Sequence, residues 1–244
     1  MDYPKTVSKI KPSIAKIVVM ASGDSLRRVG TGTGFVFGKS DVLVTCNHVV
    51  QKPNGIVFIK FPDKDEFIEA KIAIRDEEHD LALLKFNETK RKPLKLATNQ
   101  IKEGVEVIFS GYPFDLENLT TNRGILSSIS KDATGITTYL IDGTVNRGNS
   151  GCPLMLEDGG VIGVVNAHRR ESKHILDKVE NMEIGALSLH NVDIVRIYRA
   201  LIDNLQLGMG FAIPASYIPE HKEVAKKSAG TKKKQLPKNK GGKK

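Results

Sequence analysis

The sequence predicts an all-β fold built from antiparallel barrels, and three observations carry that prediction. Short runs rich in Val, Ile and Phe follow one another at even spacing, each bounded by Gly, Asp, Asn or Pro. Glycine is frequent, at 22 residues, and tryptophan is absent, a composition suited to turn-rich β structure. A convincing helical period occurs once, late in the chain, so the strand–helix alternation of a parallel sheet is missing.

In chain order the strand candidates are 15–22 (AKIVVMAS), 32–38 (GTGFVFG), 42–50 (VLVTCNHVV), 55–61 (GIVFIKF), 68–75 (IEAKIAIR) and 81–86 (LALLKF). They continue with 105–111 (VEVIFSG), 124–130 (GILSSIS), 137–141 (TTYLI), 153–158 (PLMLED) and 160–167 (GVIGVVNA). The helix candidate is NVDIVRIYRALIDNLQLG, in which Ile194, Val195, Tyr198, Leu201, Ile202 and Leu205 share one face. Asn191 is its expected N-cap and Gly208 its stop.

With 244 residues, 40% hydrophobic and 27% charged, the chain can bury a sizeable core and has the balance of a water-soluble globular protein. No apolar run is long enough to predict a membrane span, and the N-terminal MDYPKTVSKIKPSIAKIVVM lacks the order of a secretory leader. A cytoplasmic location is therefore expected. The two cysteines, Cys46 and Cys152, fit a reducing compartment and provide no disulfide framework. The net charge of +9 is local: residues 221–244 hold ten lysines and one glutamate, while residues 1–220 hold 27 charges of each sign. That Lys-rich tail buries too little apolar surface to offset its chain entropy and is expected to be disordered. It either solubilises the protein or makes weak electrostatic contact with nucleic acid or acidic proteins.

Three residues stand out once the strands are placed. His48 lies at the end of the 42–50 run, Asp80 directly precedes the apolar 81–86 run, and Ser150 sits in the Gly-rich TVNRGNSGCPLM. Each alone is an ordinary strand-end or turn residue. Together they stand in the order His, Asp, Ser, one of the orders of the acyl-transfer triad: His takes the proton of a weak serine nucleophile, and Asp fixes the imidazole and stabilises its cation.

The blocks GTGTGFVF, VLVTCNHVV, DLALLKF, EGVEVIFSGYPFDLENLTTNRGILSSIS, DGTVNRGNSGCPL and GMGFAIPASYI run in the order found in the HtrA (Deg) group of trypsin-like serine proteases, which the chain resembles over residues 13–168 and 207–219. The resemblance implies two packed six-stranded barrels, residues 1–105 supplying His48 and Asp80 and residues 106–220 supplying Ser150. It implies an oxyanion hole from the backbone N–H groups of Gly148 and Ser150. It also places Thr144 at the base of the specificity pocket and Val165, Asn166, Ala167 and His168 along its wall. No carboxylate falls at the base, so an aliphatic preference is expected. Neither metal nor cofactor is required, and the expected partners are protein or peptide substrates.

The chain also departs from the group. Asn149 stands where digestive relatives carry the Asp that receives a cleaved N-terminus, so no such processing is expected. Cys152 stands where the group usually has Gly, a source of strain if the backbone there needs φ > 0. Cys46 and Cys152 are either buried thiols packing as small hydrophobes or a redox pair. Residues 169–206 form an insertion holding the helix, and no PDZ domain is expected after Pro219. An α/β-hydrolase fails because Cys152 replaces the last Gly of G-x-S-x-G. A binding scaffold of protease shape, tethered by its basic tail, is the remaining alternative.

The charge distribution generates one prediction. Truncation after Glu220 is expected to leave cleavage of a short neutral peptide unchanged. If the tail recruits, it also removes an attraction to acidic partners that falls steeply from low to physiological salt in a titration of affinity.

Overall fold

The computed structural model describes residues 2–21, 27–87, 91–132, 134–167, 182–198 and 208–219. The tail and the helix positions Leu201, Ile202 and Leu205 lie outside them. Two closed six-stranded antiparallel barrels form the body, as the strand pattern and the resemblance lead one to expect. The first barrel comprises β1 (Ile14–Ala21), β2 (Arg27–Val36), β3 (Val42–Cys46), β4 (Gly55–Lys60), β5 (Ile68–Asp76) and β6 (Leu81–Phe86), ordered β1-β2-β3-β6-β5-β4. The second comprises β7 (Glu106–Gly111), β8 (Thr120–Lys131), β9 (Thr137–Asp142), β10 (Pro153–Met155), β11 (Val161–Asn166) and, after the insertion, β14 (Met209–Pro214). Strand β14 closes that barrel by pairing with both β11 and β9.

In the first barrel β1, β3 and β6 are buried nearly end to end, and β3 (VLVTC) at every position. The barrel's core of Phe35, Leu43, Ile59, Phe61, Leu83 and Leu84 is continuous with Ile108, Met155, Val164 and Ile213 of the second barrel. A second cluster, including Phe109, Leu126, Ile141, Leu154 and Val165, fills the second barrel itself. The linker joins the two: Leu94 bridges to Phe37 of the first barrel, and Leu96 to Val161 of the second. At another edge, His79 stacks on Tyr217 with ring centroids 4.2 Å apart.

Two local readings are corrected, and one element is added. His48 does not end a β run: the chain leaves β3 and makes one turn of helix, α2 (Asn47–Val50). An N-terminal helix, α1 (Tyr3–Ile10), was not anticipated. The Asp2 side chain accepts from the Lys5 N–H at 3.1 Å, Pro4 occupies the first turn, and Ile10 is buried. Thr6 Oγ1 donates to the Glu157 carbonyl and Tyr3 to Glu106, so α1 lies on the second barrel before β1 enters the first. Asn191 is not an N-cap. With His190 it makes the two-residue positive-φ turn (48° and 66°) of a hairpin, β12 (Ser188–Leu189) with β13 (Val192–Asp193). Residues 194–198 are helical, and Asp193 Oδ1 caps them by accepting from the Arg196 N–H at 3.1 Å.

Among the described residues no helix is long and apolar enough to cross a membrane. The continuity of the core makes it the determinant of stability. Leu83→Ala, at a fully buried position, is expected to remove about 2–5 kcal/mol of unfolding free energy in a denaturant titration, through lost transfer energy and the cavity left behind.

Candidate active site

The site lies on the seam between the barrels. Asp80 precedes β6 with φ +54°, a left-handed conformation that Asp tolerates better than most side chains. The bend turns its carboxylate onto α2. Oδ1 accepts from the His48 backbone N–H at 2.9 Å and Oδ2 from His48 Nδ1–H at 2.6 Å, while the Asp80 carbonyl accepts from the Asn47 N–H at 2.9 Å. With Nδ1 donating, the neutral imidazole presents Nε2 as its acceptor.

Ser150 belongs to a loop whose shape two glycines permit. Gly148 has φ +99°, and a Cβ there would stand 2.2 Å from the Tyr112 carbonyl oxygen. Gly151 has φ +87°, and a Cβ there would meet the Thr33 carbonyl at 2.1 Å. The positive φ thus falls on Gly151, and Cys152 takes none, so the strain expected of Cys152 is absent. The Arg147 carbonyl accepts from the Phe114 N–H at 2.7 Å, and the Gly148 carbonyl from Thr33 Oγ1 at 2.7 Å. Among the described residues the N–H groups of Gly148 and Ser150 have no acceptor. Beside this loop opens a cleft of about 390 Å³, between the 28–31 segment of β2 and Phe114, Asp115 and Arg147.

Consecutive residues of the chain at the end of β11 tie the nucleophile to the acid. Asn166 Nδ2 donates to Asp80 Oδ2 at 2.8 Å, and the Ala167 N–H donates to Ser150 Oγ at 3.2 Å. The hydroxyl is therefore held by the backbone of residue 167 in this structure and not by the imidazole. Asn166 was expected on the pocket wall. It is almost fully buried and donates to Asp80, a contact that no local sequence pattern signals. The Val165 side chain lies in the second core, and its carbonyl accepts from the Gly151 N–H at 2.8 Å and the Cys46 thiol at 3.3 Å. Thr144 is exposed, in the loop between β9 and Ser150, and His168 lies outside the described residues.

Both cysteines are fully buried thiols, and burial pushes the Cys152 thiol well above its ordinary range. That environment favours inert packing over exchange chemistry. Cys46, His48 and Asp80 bring ligand atoms within 4.8 Å of one another. An ion held there would compete with the His48–Asp80 hydrogen bond.

Two closed barrels with an Asp–His pair and a Gly-flanked serine at their seam define a double-barrel peptidase domain. The chain belongs to the trypsin-like peptidase domain family, which matches residues 32–164. It is 37% identical over 148 residues to a probable periplasmic serine endoprotease, DegP-like, of Brucella suis biovar 1, a match covering 58% of this chain and 28% of that protein. It is 29% identical over 170 residues to human serine protease HTRA4, covering 65% of this chain and 35% of that one. The chain thus spans about a third or less of these relatives. A solved structure of an HtrA-type protease, AlgWS227A with tripeptide, superposes with a TM-score of 0.64 at 21% identity, over 88% of this chain and 60% of that one, and shows the shared fold.

The buried Asn166 contact generates a prediction. Asn166→Ala is expected to lower kcat/KM on a peptide substrate roughly 10-fold or more, the worth of one hydrogen bond to a carboxylate, while the melting temperature shows the domain still folded.

Proposed function

We propose that this chain is a serine endopeptidase of HtrA type, cleaving peptide bonds through an acyl-enzyme intermediate. The observation that carries the reading is the His48 Nδ1–Asp80 Oδ2 hydrogen bond at 2.6 Å, linked through Asn166 and Ala167 to Ser150. Ser150 Oγ accepts from Ala167 N–H, which leaves its own proton to give. Rotation about χ1 turns the hydroxyl to His48 Nε2 when substrate arrives, since apo geometry at such sites is commonly loose. The imidazole takes the proton as Oγ attacks the carbonyl carbon, then returns it to the leaving amine. Asp80 holds the tautomer and stabilises the imidazolium. The N–H groups of Gly148 and Ser150 receive the oxyanion. The names of the relatives, serine endoprotease and serine protease, support the same chemistry.

The substrates in this reading are proteins or peptides, with an aliphatic preference that rests on the lack of a carboxylate at Thr144. A cytoplasmic location belongs to the same proposal and rests on the lack of a secretory-leader pattern in the N-terminal MDYPKTVSKIKPSIAKIVVM; cell fractionation tests it against the periplasmic setting named for the Brucella relative.

The test is a fluorophosphonate label with a peptide assay. Wild type should be labelled at Ser150. Ser150→Ala or His48→Ala should lower turnover on the order of a million-fold, and Asp80→Asn by less, because the three act as a unit. Proteolysis by purified Ser150→Ala at the wild-type rate would discard the Ser150 assignment, and wild type that neither takes the label nor cleaves peptide would favour the binding scaffold.

A further inference from the structure

We propose that Lys16, a residue of the first barrel far from the reacting atoms in sequence, is a positioning residue for the oxyanion hole. It anchors the 113–117 turn that sets the Arg147–Gly148 peptide. The inference rests on the endopeptidase reading and adds to it the device that holds one of the two oxyanion donors in place.

Lys16 lies on β1 and is 2% exposed. An ammonium so deeply buried persists only with partners. Its partners all belong to one short turn of the other barrel, between β7 and β8. Nζ donates to the Asp115 carbonyl at 3.0 Å and to Glu117 Oε1 at 2.9 Å, with Asp115 Oδ1 also at 3.0 Å. Two further cations of the first barrel face the same carboxylates: Arg28 pairs with Asp115 Oδ2, and Lys60 Nζ lies 3.8 Å from Glu117 Oε2. The hydrogen bond from Lys16 holds the Glu117 carboxyl below the ordinary carboxylate range.

The turn needs that anchor. Phe114 (φ 52°) and Asp115 (φ 62°) are consecutive non-glycine residues in the left-handed region, which L side chains rarely adopt. The Phe114 ring is 53% exposed, so burial of the ring does not fix the conformation. The charge contacts from β1, β2 and β4 do.

The turn in turn sets the hole. Its Phe114 N–H holds the Arg147 carbonyl at 2.7 Å. The 147–148 peptide is planar and trans, so the Gly148 N–H points opposite to that carbonyl. On the other side Thr33 Oγ1 holds the Gly148 carbonyl at 2.7 Å, and Tyr112 packs on Gly148 Cα. If the turn relaxes, the Arg147 carbonyl loses its donor. The peptide can then rotate about its flanking bonds, which withdraws one oxyanion donor without touching the triad.

The experiment uses the full chain with Lys16→Met, which keeps the apolar stem and removes the charge, and Asp115→Asn, which keeps a side chain tolerant of positive φ. Folding is read from the thermal melt, kcat and KM from a peptide substrate, and occupancy of the hole from the affinity of a peptide boronate. The expected result in either variant is a fall in kcat of roughly 10- to 100-fold, less than outright loss of an oxyanion donor. KM and the pH profile should stay close to wild type, and boronate affinity should fall by a similar factor. A folded variant with kcat within twofold of wild type, or with a loss confined to KM, overturns the proposal. If Lys16→Met does not fold, Asp115→Asn decides by the same criteria. Wild type that fails to react with a fluorophosphonate sinks the endopeptidase reading and this inference with it; reactive wild type with unaffected variants sinks the inference alone.

Discussion

The seam depends on Thr33, a fully buried residue of β2 whose hydrogen-bonding groups are all engaged. Its N–H donates to the Ser150 carbonyl at 2.9 Å, its hydroxyl donates to the Gly148 carbonyl, and the same oxygen accepts from the Tyr112 N–H at 3.0 Å. Its own carbonyl accepts from Thr45 Oγ1 at 2.7 Å, one residue before Cys46 and three before His48. Three of these four bonds cross from one barrel to the other. A buried hydroxyl with both donor and acceptor roles filled gives the seam a single register, because sliding the barrels would leave several polar groups unpaired in an apolar surround.

That dependence explains which features of the sequence were legible. Strand positions were readable because Val, Ile and Leu fill both faces of strands such as β3 and β6, and Gly and Asp punctuate them. The candidate triad rested on His, Asp and Ser standing in one of the known triad orders, each at a strand end or in a Gly-rich turn, and the structure brings His48 onto Asp80. Helix α1 was not legible: it buries only Ile10, and its cap, Asp2 followed by Pro4, is a signal without an apolar stripe. The hydrogen bond from Asn166 to Asp80 was not legible because the two residues stand 86 positions apart, and no local pattern reports a contact at that distance. Lys16 reads as the polar interruption of an apolar run, and its acceptors stand about a hundred residues downstream.

Asn149 shows why a neutral residue suits its place. It is fully buried, and among the described residues its side-chain amide has no partner, while its N–H and carbonyl are held by Asn146 and Cys152. An uncharged amide left unpaired costs about 1–3 kcal/mol. A carboxylate in the same pocket would be an uncompensated buried charge with a several-fold larger penalty, unless an ammonium were delivered to it. The chain supplies a buried ammonium elsewhere. Lys16 reaches the neighbouring 113–117 turn directly from a strand, so the cation that supports the serine loop is built into the fold.

The placement of that cation also bears on how the two barrels depend on each other. In the first barrel alone, Lys16 would be a lysine in an apolar strand with every acceptor removed, since the Asp115 carbonyl, its carboxylate and Glu117 all belong to the second. In the second barrel alone, consecutive left-handed residues, Phe114 and Asp115, would keep their strain without the charges that hold it. Each half carries an unfavourable feature that the other neutralises, and the apolar core runs unbroken between them. Docking of the barrels and formation of the serine loop are therefore one event in physical terms: the contacts that make the interface specific are the same contacts that orient Gly148 and Ser150.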